Sequence, residues 1–404
     1  METNSHSHQL SSSKRAISAL KMLFVGDSLS MPVHWYYRPA DIFRAFPPNG
    51  IRHLAAAPLV HPNSIMSLHS ISGGGRTAQH SKPSQQIVGD VILKGKGGYW
   101  NQKQVHYHQG LGAGENTLNT WCAHLLLNWT AQQISADPEF KYNAKHWLNH
   151  YIEFMTADPP QHPDTYAESY HRGFFANLVA GKPVEDCGAV THDTPSMGGL
   201  VTVAPLALAL LPTKPVKSVQ AICRQHVWAT HPDELLMKVV DAYVKLIGLL
   251  LNRTGADDQE IIDMLCDAAA VVDSGNINGL RYGLARDSET TAEENVVRYC
   301  SEDMTIVGGR YSLACYITDL WPSVCYLAAR HFKAPKRALL INTNLGGENA
   351  HRGSVLGSLI GLVSGESVDE FYNQLAQVKQ IDADIERWSS CFYRQPDGAR
   401  PCGG

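Results

Sequence analysis

Long hydrophobic stretches are missing from this sequence of 404 residues. A membrane-spanning helix needs about 18 to 20 consecutive apolar residues, whereas the longest apolar run, residues 203–211, is far shorter and contains Pro205. The first residues are polar and have no apolar centre of the kind that a secretory signal carries. We therefore expect no membrane partner, and we expect residues 1–13 to form a disordered N-terminal lead.

An excess of basic residues is also missing. Lysine and arginine together number 34 against 38 aspartates and glutamates, which gives a formal net charge of −4. A protein that binds nucleic acid should carry a basic stripe that neutralises phosphates, and no such stripe is present. The sequence therefore predicts no nucleic-acid partner.

The nine cysteines show no Cys-x-x-Cys pair and are odd in number. Several lie within apolar helical patterns, where cysteine behaves as a small hydrophobic residue. This usage is typical of reduced thiols in the core of an intracellular protein. We therefore predict a cytoplasmic protein.

Alternating strand and helix patterns are absent, which argues against a parallel-sheet architecture. Apolar residues recur instead at helical spacing. The predicted helices cover residues 14–29, 118–134, 145–155, 167–179, 197–211, 216–229, 233–251, 258–272, 313–332, 354–364 and 368–378. We expect an all-α fold, a compact multi-helix bundle that forms a single domain over residues 14–380, followed by a peripheral C-terminal tail over 381–404.

Residues 37–110 form the exception to the helical pattern. Prolines and glycines are frequent there, and two short segments, 91–93 and 105–108, flank Gly95-Lys96-Gly97-Gly98. The pattern predicts either a small β-hairpin or a loop-rich insertion. Long loops in compact domains tend to be functional, so we expect this region to supply walls of a binding pocket.

Four segments combine polar, chemically active residues with glycine. Asp27 follows Gly26 at the end of an apolar helix, and a buried carboxylate there needs partners or a metal. Glu115-Asn116-Thr117 leads into a helix, with Asn119 one residue inside it. These residues can either cap the helix or present oxygen ligands to a cation.

The third segment, residues 342–353, ends in Gly346-Gly347-Glu348-Asn349-Ala350-His351-Arg352-Gly353. Glycines at about four-residue spacing continue into the following helix, which lets another backbone approach closely. Packing alone does not explain Glu348, Asn349, His351 and Arg352 at such a helix start. The fourth segment holds Asp193, which either begins a helix or takes part in catalysis.

Taken in order, these segments resemble the ADP-ribosylglycohydrolase superfamily, which includes dinitrogenase reductase-activating glycohydrolase and crystallin J1. Family members carry Gly-Asp-x-x-Gly, then Thr-Asp-Asp-Thr, a mid-chain Ala-Pro-Leu element and a late Gly-Gly-Asp-x-Asp-Thr. The matching residues here are Gly26-Asp27, Gly114-Glu115-Asn116-Thr117, Ala204-Pro205-Leu206 and the run from Gly346 to His351. The resemblance implies an all-α fold whose cleft holds two Mg²⁺ ions and in which the glycosidic bond to ADP-ribose is cleaved.

The sequence departs from the family where metal would bind. One aspartate of the second motif is replaced by Asn116, and one ligand position of the last motif is Ala350. With fewer carboxylates, we expect one divalent cation rather than two, Mg²⁺ or another ion, or none. The candidate metal ligands are Glu115, Asn116, Thr117, Glu348 and His351.

The resemblance and the residue chemistry together predict the roles of the site residues. Glu115 and Glu348 are the candidate acid and base of a glycosidic hydrolysis, with His351 as a proton donor; Asp193 completes the catalytic set. The candidate substrate-binding residues are Asp27, Asn116, Asn119, Gly347, Asn349 and Arg352. The expected partner is a small-molecule substrate, an ADP-ribose-like, nucleoside-type or other glycoside. A lyase or transferase acting on a small metabolite, and a ligand-binding relative without turnover, are the alternatives.

Overall fold

A computed structural model describes residues 3–73, 86–254, 257–272 and 303–393. The α-helices are α1 Thr3–Ser30, α2 Pro39–Ala45, α3 Leu118–Ala136, α4 Ala144–Thr156, α5 Ser169–Val179, α6 Val203–Leu210, α7 Val216–Trp228, α8 Glu234–Leu251, α9 Asp258–Ala269, α10 Ile317–His331, α11 Pro335–Leu345, α12 Asn349–Ser364, α13 Asp369–Tyr372 and α14 Val378–Phe392. Short helical turns cover Met31–Val33, Met66–Leu68, Ile87–Val91, Gly97–Tyr99, Val184–Asp186 and Met197–Leu200. The all-α prediction is confirmed.

The most extensive helix–helix contact among the described residues joins α1 to α12, and glycine makes it possible. Gly353, Gly357 and Gly361 follow one another at four-residue spacing along α12. A Cβ at any of the three would lie under 3.0 Å from backbone atoms of α1. The two backbones therefore touch directly, as the glycine spacing predicts. This contact places the end of α1, with Asp27, beside the start of α12.

Three helices were not expected from the pattern: α2, which lies in the region predicted to be loop-rich, α11 and α14. Helix α11 buries its polar residues Asn342, Thr343 and Asn344 completely, so no apolar stripe marks it. Helix α14 buries Ile381, Ile385 and Trp388 in a region predicted to be a peripheral tail. Because that apolar face packs in the core, the described residues 381–393 belong to the body of the fold. Residues 394–404 of the predicted tail lie outside the described residues.

The two ends of the predicted insertion behave as loops. Val105 forms a single antiparallel bridge with Val60, and Val88 forms a single parallel bridge with Ile92. The predicted hairpin between 91–93 and 105–108 is therefore absent from the described residues, and the loop-rich alternative applies. Trp100 and Tyr107 are buried and hold the loops against the helices.

The start of the chain is helical in the described part. Helix α1 begins at Thr3, whereas the sequence predicts its start near Lys14. Among the described residues, the stretch Ser12–Val33 is long and apolar enough to cross a membrane by those two measures. Since 89% of the tested window is buried inside the fold, the helix fits a core position, where the same composition is ordinary.

The described cysteines are free thiols, and most of them are buried, as the sequence predicts: Cys122, Cys187, Cys223, Cys266, Cys315, Cys325 and Cys391. Cys300 and Cys402 lie outside the described residues.

Candidate active site

A cavity of about 290 Å³ opens between the start of α5 and the loops at residues 35–70, 192–196 and 314–316. Six aromatic side chains line it: Trp35, Tyr37, Tyr107, Tyr166, Tyr170 and Tyr316. Two carboxylates, Glu168 and Asp193, face the same space. Aromatic walls with a few polar groups are typical of small-molecule sites.

Glu348 is the centre of a buried network behind this cavity. Its Oε1 lies 2.7 Å from His34 Nε2 and 2.7 Å from His351 Nδ1, and its Oε2 accepts a hydrogen bond of 2.7 Å from Trp35 Nε1. Burial opposes the charge of Glu348, but His351 and His34 hold its pKa well below the ordinary value. Glu348 is therefore an ionised carboxylate whose two oxygens are both occupied by donors.

His351 connects Glu348 to the cavity. Its Nδ1 is 2.7 Å from Glu348 and 3.8 Å from Glu168 Oε1. Burial would lower the pKa of His351, but Glu168 and Glu348 raise it to about 9. At neutral pH, the ring is therefore a protonated imidazolium between two carboxyl groups.

Glu168 stands directly before the first turn of α5 and lines the cavity. Its Oε2 accepts a hydrogen bond of 2.7 Å from Asn119 Nδ2. Burial is the main cause that raises the pKa of Glu168 to about 7; His351 opposes the rise, and the charge of Glu348 adds to it. A carboxyl group with this pKa exchanges protons at physiological pH, as a general acid or base must.

Asn119 is held so that its amide points at Glu168. Its Oδ1 accepts hydrogen bonds from Tyr170 Oη at 3.2 Å and from His171 Nε2 at 3.0 Å. With the carbonyl oxygen occupied by two donors, the amide nitrogen faces the carboxyl group. The predicted substrate-binding residue Asn119 thus fixes the orientation of Glu168.

A second chain of hydrogen bonds leads away from Glu348. His34 Nδ1 lies 2.7 Å from His108 Nε2, and His108 Nδ1 lies 2.8 Å from Asp164 Oδ1. Burial lowers the pKa of His34 to about 3, so its ring is neutral and carries one N–H. That N–H is at Nε2 and donates to the carboxylate of Glu348. Asp164 also accepts from the backbone N–H of Leu118 at 2.7 Å, which ties this chain to the start of α3.

Asp27 organises the second predicted segment. Its Oδ2 accepts from Asn116 Nδ2 at 2.9 Å and from Thr117 N at 2.7 Å, and its Oδ1 accepts from Thr117 Oγ1 at 2.7 Å. Asn116 also donates to the carbonyl of Phe24 at 2.8 Å. All three predicted site residues are buried, and they join the end of α1 to the start of α3.

Glu115 is half-buried and lies outside this network. Burial raises the pKa of its carboxyl group, and its Oε2 is buried without a hydrogen-bond partner. Among the described residues, neither Glu348 nor His351 makes a hydrogen bond or ion pair with it. Among the described residues, the predicted acid–base pair Glu115 and Glu348 is therefore not joined by a hydrogen bond or an ion pair.

The remaining residues of the third segment build its turn. The backbone of Gly347 exchanges hydrogen bonds with Trp35 N at 2.8 Å and Tyr36 O at 2.7 Å. Asn349 Nδ2 donates to the carbonyl of Thr343 at 2.8 Å. The side chain of Arg352, which is fully buried, donates to Asn342 Oδ1 at 2.7 Å and to the carbonyl of Gly346 at 2.9 Å. These contacts hold α11 against α12 and leave Arg352 behind the cavity wall.

Asp193 is the predicted catalytic residue that the structure places on the cavity itself. It lies 3.0 Å from His192 Nε2, and its charge contributes to the raised pKa of Glu168. The two carboxyl groups are thus close enough to influence each other's charge.

The metal ions that the family resemblance implies can be tested against these donors. His34, Glu348 and His351 present ligand atoms within 4.8 Å of one another, and they are the described residues best placed to hold one ion. Ligand atoms around a shared tetrahedral ion lie about 3.4 Å apart, whereas both histidine nitrogens are 2.7 Å from the same Glu348 oxygen. Thr117 Oγ1 donates its proton to Asp27, and Glu115 does not belong to the cluster of ligand atoms found among the described residues. As arranged here, the residues do not fit a pair of Mg²⁺ ions.

The signal in the sequence differs among the residues of the site. Glu168 lies in residues 166–175, whose side chains suit a pocket wall but are also typical of an ordinary half-exposed helix face. Trp35 lies just before the loop-rich region that is expected to supply pocket walls, and His34 follows the Gly26-Asp27 segment within eight positions. Asp164 and His108 lie in loops and have little signal.

The comparisons with known proteins agree with this architecture. The sequence profile of the ADP-ribosylglycohydrolases matches residues 8–395. A solved structure described as "ADP-ribosylglycohydrolase-related protein complex" superposes with a TM-score of 0.54 at 16% identity, covering 95% of this chain and 99% of that one. At that identity the likeness shows the fold alone. A comparison of the sequence with curated proteins gives no match. Because the profile spans nearly the whole chain, the protein belongs to the ADP-ribosylglycohydrolase family.

Proposed function

We propose that this protein is a hydrolase that cleaves an N- or O-glycosidic bond of a small glycoside in the aromatic cavity. Family membership supports a glycohydrolase-type function. The observation that carries the proposal is the carboxyl group of Glu168, which lines the cavity and has a pKa of about 7.

Glu168 is proposed as the general acid. Glycosidic bonds break through an oxocarbenium-like transition state, and a protonated carboxyl group assists by giving its proton to the leaving atom. Asp193 supplies the second carboxylate, which stabilises positive charge at the anomeric carbon and orients a water molecule. The water adds its hydroxyl group to that carbon, its remaining proton restores Glu168, and the leaving group departs with the proton that Glu168 gave.

His351 and Glu348 are proposed as positioning residues. Glu348 is fully buried, and its three donors leave no oxygen for the substrate. It holds His351 in place, and His351 in turn limits how far burial raises the pKa of Glu168. This assignment differs from the sequence-based pair Glu115 and Glu348, because Glu168 and Asp193 are the carboxylates that face the cavity.

The remaining proposals concern the surroundings of the site. Asp27, Asn116 and Thr117 support the start of α3 through hydrogen bonds, and Arg352 supports the start of α12. Since the hydrogen-bonded triad of His34, Glu348 and His351 already neutralises its own charge, we propose no metal-dependent step. The free buried thiols support a reducing compartment, and we propose a cytoplasmic location.

The test is hydrolysis of chromogenic ribosides and of ADP-ribosylated substrates by the purified chain. Glu168→Gln keeps the shape of the side chain and its contact with Asn119, and it should lower kcat by about 10²–10⁴-fold. The rate of the wild-type protein should fall as the pH rises through about 7, where Glu168 loses its proton. The exposed Glu139→Gln is the matched control and should keep full activity.

Two outcomes would overturn the proposal. One is unchanged kcat in Glu168→Gln with a folded protein. The other is ligand binding without turnover of any glycoside, which would instead indicate a binding protein.

A further inference from the structure

Trp35 lies in the cavity wall in a backbone conformation that bulky residues rarely adopt. Its φ is 64°, in the left-handed region, where a large side chain strains the backbone. Strained residues of this kind persist only where the surrounding contacts hold them in place, and they cluster at active sites. The strain at Trp35 therefore indicates a functional reason for the position of its side chain.

The backbone around Trp35 is tied to the turn that precedes Glu348. Trp35 N donates to the carbonyl of Gly347 at 2.8 Å, and Gly347 N donates to the carbonyl of Tyr36 at 2.7 Å. A Cβ at Gly346 would lie 2.1 Å from the carbonyl oxygen of Tyr36, so only glycine allows this close approach. The two segments therefore hold each other in register.

The indole ring is fixed as firmly as the backbone. Its Nε1 donates to Glu348 Oε2 at 2.7 Å, and the ring stacks on His34 with the centroids 3.8 Å apart and an angle of 22° between the planes. Tyr107 and Tyr166 meet it in T-shaped contacts, with centroid distances of 4.4 Å and 5.1 Å. Trp35 is 8% exposed and lines the cavity, so the accessible part of its ring borders the space where the substrate would bind.

The proposed acid and its companion carboxylate border the same space. Glu168 and Asp193 line the cavity together with Trp35. We infer that the accessible surface of the Trp35 indole ring stabilises the positive charge that develops on the sugar in the transition state. This inference rests on the proposed function and adds a catalytic residue to it.

The chemistry of the indole ring suits this role. The face of an aromatic ring carries negative charge density, and tryptophan is the aromatic side chain that attracts cations most strongly. Donation of its N–H to the carboxylate of Glu348 strengthens that polarity, because hydrogen-bonded groups polarise one another. A glycosidic bond breaks through an oxocarbenium-like state. A cation–π contact that forms only with that state lowers the barrier, since the neutral ground state gains little from it.

A matched pair of ligands tests the inference without turnover. 1,4-Dideoxy-1,4-imino-D-ribitol carries an ammonium group in its ring, and 1,4-anhydro-D-ribitol has the same ring with a neutral oxygen. Isothermal titration at one pH gives both dissociation constants. The carboxyl groups of Glu168 and Asp193 also attract the cation, so the quantity to compare is the change in preference when Trp35 is altered.

Trp35→Leu keeps an apolar side chain and removes the π system. A cation–π contact is worth a factor of about 5–30 in affinity. The variant should therefore weaken binding of the iminoribitol by about that factor more than it weakens binding of the anhydroribitol. Thermal melting checks that the variant is folded.

Fluorinated tryptophans at position 35 separate this role from a structural one. Mono-, di- and trifluorotryptophan withdraw charge from the ring face but keep its shape and its N–H donor. Affinity for the iminoribitol should fall stepwise with the number of fluorine atoms, whereas affinity for the anhydroribitol should stay constant. Trp228 is the control, because it is 43% exposed on α7 and lines a different cavity; the same replacements there should leave both affinities unchanged.

The outcomes separate this inference from the proposed function. Equal changes for the two ligands in Trp35→Leu, or an affinity for the iminoribitol that does not depend on fluorine, would overturn the role of Trp35 whether or not a glycoside is cleaved. Failure of both ligands to bind the wild-type protein would overturn it as well. Fluorine-sensitive binding of the iminoribitol without cleavage of any glycoside would overturn the hydrolase proposal and leave Trp35 as a cation-binding surface.

Discussion

Replacing Glu348 by glutamine should destabilise the protein in a pH-dependent way. The carboxylate is fully buried, accepts hydrogen bonds from His34 and Trp35, and forms an ion pair with His351 at 2.7 Å. Glutamine has the same shape but carries no charge, and its amide nitrogen cannot accept a hydrogen bond. The variant therefore leaves the protonated His351 with Glu168, at 3.8 Å, as its nearest counter-charge.

The expected loss of stability follows from the ion pair between Glu348 and His351. A pKa of His351 raised from 6.5 to about 9 corresponds to about 3 kcal/mol, because a tenfold change in proton affinity is worth about 1.4 kcal/mol. Removing one partner of a buried ion pair typically costs about 3–5 kcal/mol. Since Glu168 also contributes to the raised pKa of His351 and remains in place, we expect the free energy of unfolding to fall by about 3 kcal/mol near pH 6.

The pH dependence has a defined direction. The raised pKa of His351 contributes stability that is complete below 6.5 and is lost as the pH rises through about 9. The lowered pKa of Glu348 contributes stability that is present above its ordinary value of 4.5 and is lost as the pH falls further. The ion pair of Glu348 and His351 therefore stabilises the folded protein most between about pH 4.5 and 6.5. The difference in the free energy of unfolding between Glu348→Gln and the wild type should become smaller above about pH 9.

Urea denaturation at pH 6, 7.5 and 9.5 measures these differences. Glu115→Gln is the control: Glu115 has no hydrogen-bond partner at Oε2, so its free energy of unfolding should change by less than about 1 kcal/mol. A loss below about 1 kcal/mol for Glu348→Gln at pH 6, or a loss that is the same at all three pH values, would refute the reasoning.

Three further outcomes are expected. Gly357→Ala places a Cβ against the carbonyl of Met22 and should lower the free energy of unfolding by about 1–3 kcal/mol or more, as measured by urea denaturation. Gly98→Ala is the control and should have little effect in the same urea titration, because no atom lies within 4 Å of the added Cβ. Asp27→Asn weakens three hydrogen bonds to a charged acceptor, and a fall of about 1.5–3 kcal/mol is expected; an unchanged urea midpoint would contradict the network described above. Calorimetry after dialysis with EDTA, and again with added MgCl₂, should give the same melting temperature, and a clear rise with Mg²⁺ would show that the site rearranges around the ion.

The sequence predicts the helices well where an apolar stripe exists. Helices α3, α4, α5, α7 and α8 lie within a few residues of their predicted bounds. Helices α4, α7 and α8 each bury one face and expose the other, whereas α3 and the first two turns of α5 are buried almost all round. The apolar pattern does not predict helix α11, because this helix buries Asn342, Thr343 and Asn344 through specific hydrogen bonds. For the C-terminal helix α14 the sequence predicts a polar tail, because the charged residues around Ile381, Ile385 and Trp388 dominate its composition.

The sequence predicts which segments form the candidate site better than it predicts how their side chains are arranged. Glycine and polar residues mark the turns at Asp27, Glu115 and Glu348, and the structure brings Asp27 and Glu348 to the same end of α1 and α12. Which carboxylate faces the cavity depends on side-chain directions set by tertiary contacts. Glu168 illustrates this limit, because its pKa of about 7 comes from burial and from neighbours that are far away in the sequence.

The glycine contact between α1 and α12 also fixes the position of each helix along the other. With two backbones touching at Gly353, Gly357 and Gly361, neither helix can slide along the other without losing several close contacts at once. Gly361 lies about 12 Å along the helix from Gly353, at 1.5 Å per residue, so a substitution at the far end can still misalign the catalytic end. Directed evolution of this scaffold should therefore tolerate changes in the cavity walls more readily than changes along this distant stripe of glycine.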